Sequence, residues 1–529
     1  MTRLPTLAFL SMLAAASTVA RAQSPDPYMT EQNRMMARTM ASRSVDWRNG
    51  PIVYQVFVDR FVPPANLNAK RHLYAPPRLL REWTDVPKPG HQDREHGVWT
   101  HELDFWGGDL KGVETKLDYV RSLGADVLYL NPIQSALTNH KYDAMDWADV
   151  APEYGTRQDV LDIAHMLHGK GMKLMLDGVF NHMGLASPRF QDALKNPQSP
   201  YRNWFFIDPK YPRGYRTWAN TGNLVEVRLE DRGLRDYLWE GHDSVVQKYL
   251  RDGVDGWRLD TAFELGPKYL SDLTKAAHRA RADSAVVGEV WNYPQGWSPA
   301  LDGVMNFFAR RVVLDSIAGK TAPSIANRLL ERMVDDCGIK HLLKSWLVLD
   351  NHDTDRLRSI LPDVKERHLA QVMQFTLPGA PVLYYGVEVG MEGKGDPGSR
   401  GPMRWDLVSD DNPETAWLKR IVGLRKSSRA LRIGDYAALD CSRLIGFSRR
   451  TDKALESVFV FANPSNETVH ETVSCRDGML MNGGQLKDML DGALFTAYSG
   501  IIEIAVPAKS ARVLEMVQPR GYTPYKRVH

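Results

Sequence analysis

Between about residues 50 and 386 one pattern recurs: an amphipathic helix, a glycine that stops it, then a short apolar run ending in polar residues. Val113, Leu117, Val120 and Leu123 fall at helical spacing, Gly124 ends the helix, and ADVLYLNP (125–132) reads as a buried strand. The unit returns with Thr156 as cap, Val160, Ile163, Ala164 and Leu167 on one face, Gly169 and Gly171 as breakers, and MKLMLDGVFNH (172–182) as strand. It returns again where Leu238, Val245, Tyr249 and Leu250 lead through Gly253 into GWRLD (256–260). With IVYQVFVDRF (52–61), SAVVGEVW (284–291), GVMNF (303–307), WLVLDNHD (346–353) and PVLYYG (381–386), eight candidate strands are present. Strands this apolar, separated by helices, lie parallel with helices covering them. Eight of them predict an α/β chain built as a closed (β/α)8 TIM barrel. The alternative, a doubly wound open sheet, would carry a glycine-rich phosphate turn after its first strand, and this chain has none there.

Two segments break the repeat. Residues 183–235, rich in Pro, Asn and aromatics, are too long for a simple connection and predict a lobe inserted after the third strand, on the face where the strands end. From about residue 433 the helical period gives way to runs such as RLIGFSRR, ESVFVFAN and GIIEIAVP, which predict a C-terminal antiparallel β-sandwich. The expected division is a lead-in over 23–47, the barrel over 48–430, the sandwich over 431–518 and a tail over 519–529. Residues 1–22 stand apart: Arg3 precedes an apolar run from Leu4 to Val19, and Ala20-Arg21-Ala22 supplies the small residues of a cleavage site. This reads as a removed signal peptide and predicts export, most simply to a periplasm. No later stretch is long and apolar enough to span a bilayer.

Composition narrows the partners. A chain that is 43% hydrophobic and 25% charged, with mean hydropathy −0.38, has the material for a large core and is neither disordered nor collagenous. A net charge of +3 over 529 residues offers no basic stripe, so no nucleic-acid partner is expected. Three cysteines, Cys337, Cys441 and Cys475, are too few for a disulfide framework, and whether Cys441 and Cys475 pair is left open.

The chemistry of a barrel sits where its strands end. GWRLD ends at Asp260, VVGE at Glu289 and VLDNHD at Asp353; Asp177 with Asn181-His182 and Asn131-Pro132 end two others. One such acid alone would be read as half of an ion pair. Three on three strands, beside Arg258 and His352, suit retaining glycoside hydrolysis, which needs a carboxylate nucleophile and a protonated carboxyl acid roughly 5–5.5 Å apart. Arg258, two residues before Asp260 and on the same face, is expected to hold that carboxylate ionised as nucleophile. Glu289, between Gly288 and Val290-Trp291, is expected to sit in an apolar setting that keeps it protonated as acid and base. Asp353 would grip sugar hydroxyls and strain the ring. A metal-dependent hydrolase could instead use His182, Asp177, His352 and Asp353 as ligands, and the fixed cation of Arg258 argues against it.

The segments DGVFNH (177–182), GWRLDTA (256–262), GEVW (288–291) and NHD (351–353), in this order, resemble the α-amylase family of glycoside hydrolases. The resemblance implies Asp260 as nucleophile, Glu289 as acid/base and Asp353 as transition-state stabiliser, with no cofactor needed for the chemistry. It implies that Arg258, His182 and His352 line the subsite of the cleaved glucose unit. Tyr142 and Asp143, in NHKYD (139–143), match the family's stacking tyrosine and supporting aspartate, and Asp396 and Arg400, in GDPGSRGPMRWD, match a sugar-contacting pair. NHKYD, Glu264 and the DPGSR…MRW stretch look most like the cyclomaltodextrinase, neopullulanase and maltogenic amylase branch, which implies α-1,4-glucosidic substrates among cyclodextrins and short malto-oligosaccharides. The alternatives are a secreted α-amylase acting on starch and a non-catalytic scaffold member of the family. Gly107 and Asp109, in FWGGD, match the family's calcium loop; the facing loop VPPANLNAKRHLY is basic where oxygen ligands are expected, so a structural calcium is left open. All 14 tryptophans lie between Trp47 and Trp417, so the C-terminal domain shows no aromatic platform for granules. A monomer is favoured over a dimer.

Overall fold

The computed structural model describes residues 29–522 and 524–528, so the signal-peptide reading lies outside the described residues. Eight strands, β1 (Val53–Val56), β2 (Val127–Leu130), β3 (Lys173–Gly178), β4 (Gly256–Leu259), β5 (Ala285–Val290), β6 (Gly303–Asn306), β7 (Trp346–Leu347) and β8 (Ala380–Tyr384), close into a barrel. Each pairs in parallel with the next in sequence, and β8 returns to β1 with Val382 opposite Val53. The expected barrel is present, and its strands are the eight that the helix–glycine–strand pattern marks.

The two-residue side-chain period sorts the interior into layers. Val53, Val127, Met175, Val287, Met305, Trp346 and Val382 belong to one buried apolar cluster that fills the lower barrel. Two residues further along, on the same face of their strands, come Gln55 on β1, Asp177 on β3 and Glu289 on β5, with Arg258 facing Asp177 in register. Tyr129, in the lower cluster, is followed two residues on by Asn131 just beyond β2. An apolar plug thus carries a polar layer at the C-terminal ends of the strands, where barrel chemistry is found.

β7 is shorter than its apolar run, because residues 348–353 leave the ladder and turn over the barrel mouth. The inserted lobe follows β3, pinned by an antiparallel pair that sets His182 opposite Glu226. At the C-terminus β9 (Asp435–Ala438), β10 (Ile445–Arg450), β11 (Val458–Asn463), β13 (Gly484–Asp488), β14 (Leu494–Ala497) and β16 (Ser510–Met516) form one antiparallel sheet. β12 (Val469–Ser474) and β15 (Ile501–Val506) form a second, and Phe459, Phe461, Val473, Leu486, Ile502 and Leu514 are buried together as a common core. The 23–47 lead-in is not featureless: Glu31–Val45 is a helix, capped by the Thr30 side chain and anchored by Met40 and an Arg43–Asp435 ion pair of 2.7 Å. Cys337, Cys441 and Cys475 are free thiols.

Candidate active site

The centre of the polar layer is Arg258, buried at the end of β4. Its Nη1 lies 2.9 and 3.0 Å from the two oxygens of Asp177 and 3.1 Å from Asp260, and its Nη2 lies 3.0 Å from Glu289. Burial opposes its charge, but Asp177 and the surrounding acids outweigh it and hold the guanidinium a cation. The sequence reading gave this arginine to Asp260 alone; it serves three carboxylates on three adjacent strands. Tyr129 adds a hydroxyl to Asp177 at 2.5 Å.

Asp260 and Glu289 differ in their donors. Glu289 accepts from the Thr261 backbone N–H at 2.9 Å and from Trp291 Nε1 at 2.9 Å. Its expected apolar setting is therefore corrected: Gly288 and Val290 flank it in sequence, but strand alternation points them away and leaves Glu289 facing the polar layer. Thr261 makes its contact from a left-handed backbone (φ 42°), a costly geometry for a β-branched residue and of the kind that gathers at functional sites. Asp260 has Arg258 and a long 3.4 Å contact from the Thr261 hydroxyl. Burial raises its carboxyl well above the usual range, Arg258 opposes this, and Glu289, Asp177 and Asp353 push it further up. The two carboxyls thus sit in one crowded cluster around one cation.

Above this floor lies His352, whose Nδ1 is met by Gln55 Nε2 at 3.0 Å and Asn131 Nδ2 at 3.2 Å. Two amide donors on Nδ1 assign the proton to Nε2, which faces Tyr142 Oη at 2.7 Å and Asp353 at 3.1 Å. Burial, then Arg400 and Arg258, hold this imidazole neutral. The Tyr142 ring stacks on it at 6° with centroids 5.4 Å apart. Arg400 reaches Asp353 at 3.3 Å and Asp396 at 3.0 Å, and keeps Asp396 ionised well below the usual carboxylate range. His182 is also neutral, pushed down to about 3 by burial; its Nε2 has no partner and lies 3.9 Å from Asp260.

These groups open onto a cleft of about 470 Å³. Tyr142, His182, Asp260, Glu264, Glu289, Asp353, Asp396 and Arg400 line it. Arg258 and His352 are buried beneath. Asp143 is turned away from the cleft and accepts from the Leu137 and Thr138 N–H groups, fixing the loop that carries Tyr142. Sequence reasoning missed Glu102, His140, Trp218 and Asn292 on the walls. His140 stood inside NHKYD and could have been found there; Trp218 had no such signal. It comes from the inserted lobe, tilts over His182 with centroids 5.7 Å apart, and donates Nε1 to Glu264 at 3.2 Å, so the lobe contributes a wall of the cleft.

Neither metal reading fits the side chains. Asp177 is engaged through both oxygens by Arg258 and His352 Nδ1 by two amides, so the set His182, Asp177, His352 and Asp353 does not converge as ligands. At Gly107 and Asp109, where calcium was left open, Lys70 Nζ lies 2.9 Å from the Gly107 carbonyl and 2.9 Å from Asp109 Oδ2, so an ammonium from the basic facing loop meets both oxygens. Among the described residues His101, Glu102 and Asp396 alone have spacing that could grip a cation, and Arg400 already neutralises Asp396.

Residues 55–430 match the family model described as "Alpha amylase, catalytic domain". Over 448 residues the chain is 31% identical to a cyclomaltodextrinase of Bacillus sp, covering 82% of this chain and 75% of that one. It is 30% identical over 439 residues to a protein of Bacillus subtilis named intracellular maltogenic amylase, covering 80% and 70%. The solved cyclic alpha-maltosyl-(1→6)-maltose hydrolase of Arthrobacter globiformis superposes with a TM-score of 0.75 at 26% identity, covering 89% of this chain and 100% of the other. The expectation of export to a periplasm is corrected by these relatives, since two Bacillus subtilis proteins among them are named intracellular. Among the described residues no helix is long and apolar enough to cross a membrane.

Proposed function

The chain belongs to the α-amylase family of glycoside hydrolases, and from that premise we propose that it cleaves α-1,4-glucosidic bonds in cyclodextrins and short malto-oligosaccharides through a covalent glycosyl-enzyme. The observation that carries this reading is the pairing of Asp260 and Glu289 on one buried guanidinium at the mouth of the barrel. In the first step Asp260 attacks the anomeric carbon while Glu289 passes its proton to the departing glycosidic oxygen. The clustered acids supply that proton, because so many carboxylates around one arginine cannot all be ionised cheaply. Charge developing on the sugar ring favours an ionised Asp260, and the basic leaving oxygen favours a proton on Glu289, so the substrate itself sorts the two roles. In the second step Glu289 takes a proton from water, the water oxygen bonds to the anomeric carbon, and Asp260 is released as carboxylate. Asp353, braced by Arg400, accepts hydrogen bonds from ring hydroxyls; Tyr142 offers a stacking face; His182 Nε2 is free to meet a hydroxyl.

Preference for short or cyclic chains is supported by the wall that the lobe adds to the cleft. Trp218 and Glu264 join across it, and Phe263 stands exposed beside them. The expected result is a higher kcat/KM on β-cyclodextrin and maltotriose than on soluble starch, with maltose and glucose as main products. Purified protein that cleaves starch at least as efficiently per bond and leaves β-cyclodextrin intact would return the α-amylase alternative. A second reading follows from the full coverage of the Arthrobacter enzyme: a cyclic maltosyl-maltose belongs in the same assay, and exclusive cleavage of it would replace cyclodextrin as the substrate.

A further inference from the structure

At the opposite end of the barrel, where the strands begin, a hollow of about 650 Å³ opens between the barrel floor and the helices leading to the C-terminal domain. Lys173 at the start of β3, Arg425, Lys426, Arg429 and Arg432 line it, and Asp126 is its single acid. That acid is already engaged, by Lys426 at 3.3 Å and by the Ile52 N–H at 2.9 Å. Lys173 and Arg429 have carboxylate partners outside the hollow. Among the described residues no carboxylate lies within ion-pair distance of Arg425 or Arg432.

Arg425 is the informative one. It is 2% exposed; its Nη1 donates to the Phe375 carbonyl at 2.7 Å and its Nη2 to the carbonyls of Gly50, at 3.1 Å, and Gly379, while its Nε is buried without an acceptor. Burial and the neighbouring Arg449 and Arg432 push this guanidinium down to about 9, against only Asp126. A buried cation facing other cations is costly unless an anion balances it. A clamp on barrel-floor carbonyls would explain Arg425 by itself. It would not explain Arg432, whose Nε donates to the Asn49 carbonyl at 3.1 Å while its two Nη groups, among the described residues, meet no acceptor.

We propose that this hollow is a binding site for a phosphate-bearing small molecule, with the phosphate on the Nη edge of Arg432, over the buried charge of Arg425. Guanidinium forks match phosphate oxygens two at a time, and a multiply charged anion suits several cations better than a single carboxylate does. The volume lies within the range of small-molecule sites. The site is a strand length away from the cleft, so it stands independently of the substrate reading above.

The test is calorimetric titration and thermal unfolding of the full chain with sodium phosphate and with glucose 1-phosphate, against sodium chloride at equal ionic strength. Saturable binding of one phosphate per chain is expected, with a rise in Tm that chloride does not give. Arg432→Gln should weaken binding by at least about tenfold, the loss of one charge-assisted contact, and leave hydrolysis in phosphate-free buffer unchanged. Lys426→Gln, on an exposed side chain, gives a smaller weakening and serves if the first variant folds poorly. Tighter binding of glucose 1-phosphate would identify a sugar phosphate as the ligand, and equal binding would identify the phosphate group as the whole determinant; both support the site. Equal Tm in phosphate and chloride, or wild-type affinity in both variants, overturns it.

Discussion

Lys70 offers a test of how this chain organises the loop that carries Gly107 and Asp109. Lys70→Met keeps the length and apolar stem of the side chain and removes two hydrogen bonds, to the Gly107 carbonyl and to Asp109 Oδ2, each 2.9 Å long. A hydrogen bond involving a charged group contributes about 1.5–3 kcal/mol when buried. The two side chains here are 15% and 20% exposed, so screening trims the pair to about 2 kcal/mol in all. Asp109 keeps its other role, capping the Leu110–Thr115 helix through the Gly112 N–H at 2.7 Å, so the loss stays local. For 529 residues the unfolding entropy is on the order of 1 kcal/mol per kelvin, which converts the loss to a Tm drop of about 2 °C. Calorimetry on wild type and variant, each with and without chelator or millimolar calcium, checks it. The variant should melt lower, and calcium should restore nothing, because one carbonyl and one carboxylate are too few for an ion that takes six to eight oxygens. A wild-type Tm that falls on chelation, or a variant that melts with the wild type, refutes the assignment.

Acid should destabilise the protein through buried histidines. His341, pushed down to about 4 by burial, binds its proton in the unfolded chain near pH 6.5 but not in the folded one, so stability is lost as pH falls from about 6.5 and levels off near 4. By pH 4.5 this costs about 2–3 kcal/mol, and His341→Gln should therefore lose roughly 2–3 °C less Tm than wild type between pH 7.5 and 4.5; identical losses would refute it. Asp260→Asn and Glu289→Gln should each lower kcat on β-cyclodextrin by about three orders of magnitude or more with unfolding curves near wild type. More than a tenth of the activity left in either removes that residue from its role. Trp218→Ala, which removes the lobe's aromatic wall on the cleft, should raise the starch to β-cyclodextrin ratio of kcat/KM several-fold; an unchanged ratio means the lobe does not limit chain length.

The barrel was legible because its signal is periodic and local. Gly124 and Gly253 stop helices at the point where the next strand begins, and most strand positions on both faces are apolar until the C-terminal ends, a pattern few other folds require. Asp260, Glu289 and Asp353 were legible as strand ends, where position alone implies a shared rim. What the sequence withheld is whatever depends on which way strands and loops bring side chains together. Glu289 has apolar neighbours in the chain and polar ones in space, because alternation along β5 sends Gly288 and Val290 to the other face. Arg258 lies two residues from Asp260, and only the barrel register shows that Asp177 and Glu289 share it. Trp218 sits in a lobe without periodicity, and its contact with Glu264 spans 46 residues. Lys70 was visible as one of several basic residues in a loop, with nothing local to say that its ammonium would meet Gly107 and Asp109.

The charges of the cleft can be counted against the proposed chemistry. Five carboxylates, Asp177, Asp260, Glu289, Asp353 and Asp396, touch two guanidiniums, Arg258 and Arg400. The histidines do not help balance them, since burial keeps His182 and His352 neutral. Burial raises Asp177, Asp260 and Asp353 above the usual carboxylate range, so the cluster resists full ionisation, and its surplus of acid groups over guanidiniums sets a field that welcomes positive charge. A neutral sugar in its ground state gains little from that field. A ring passing through an oxocarbenium-like transition state, with positive charge spreading from the anomeric carbon, gains a great deal, and interactions felt only there are the ones that raise kcat. The apolar plug of the lower barrel is what makes this possible: it holds the polar layer rigidly at one depth, so the charges do not relax toward each other before the sugar arrives. Asp177 then has a function without touching the substrate. By occupying Nη1 through both oxygens it fixes the arginine that Asp260 and Glu289 share.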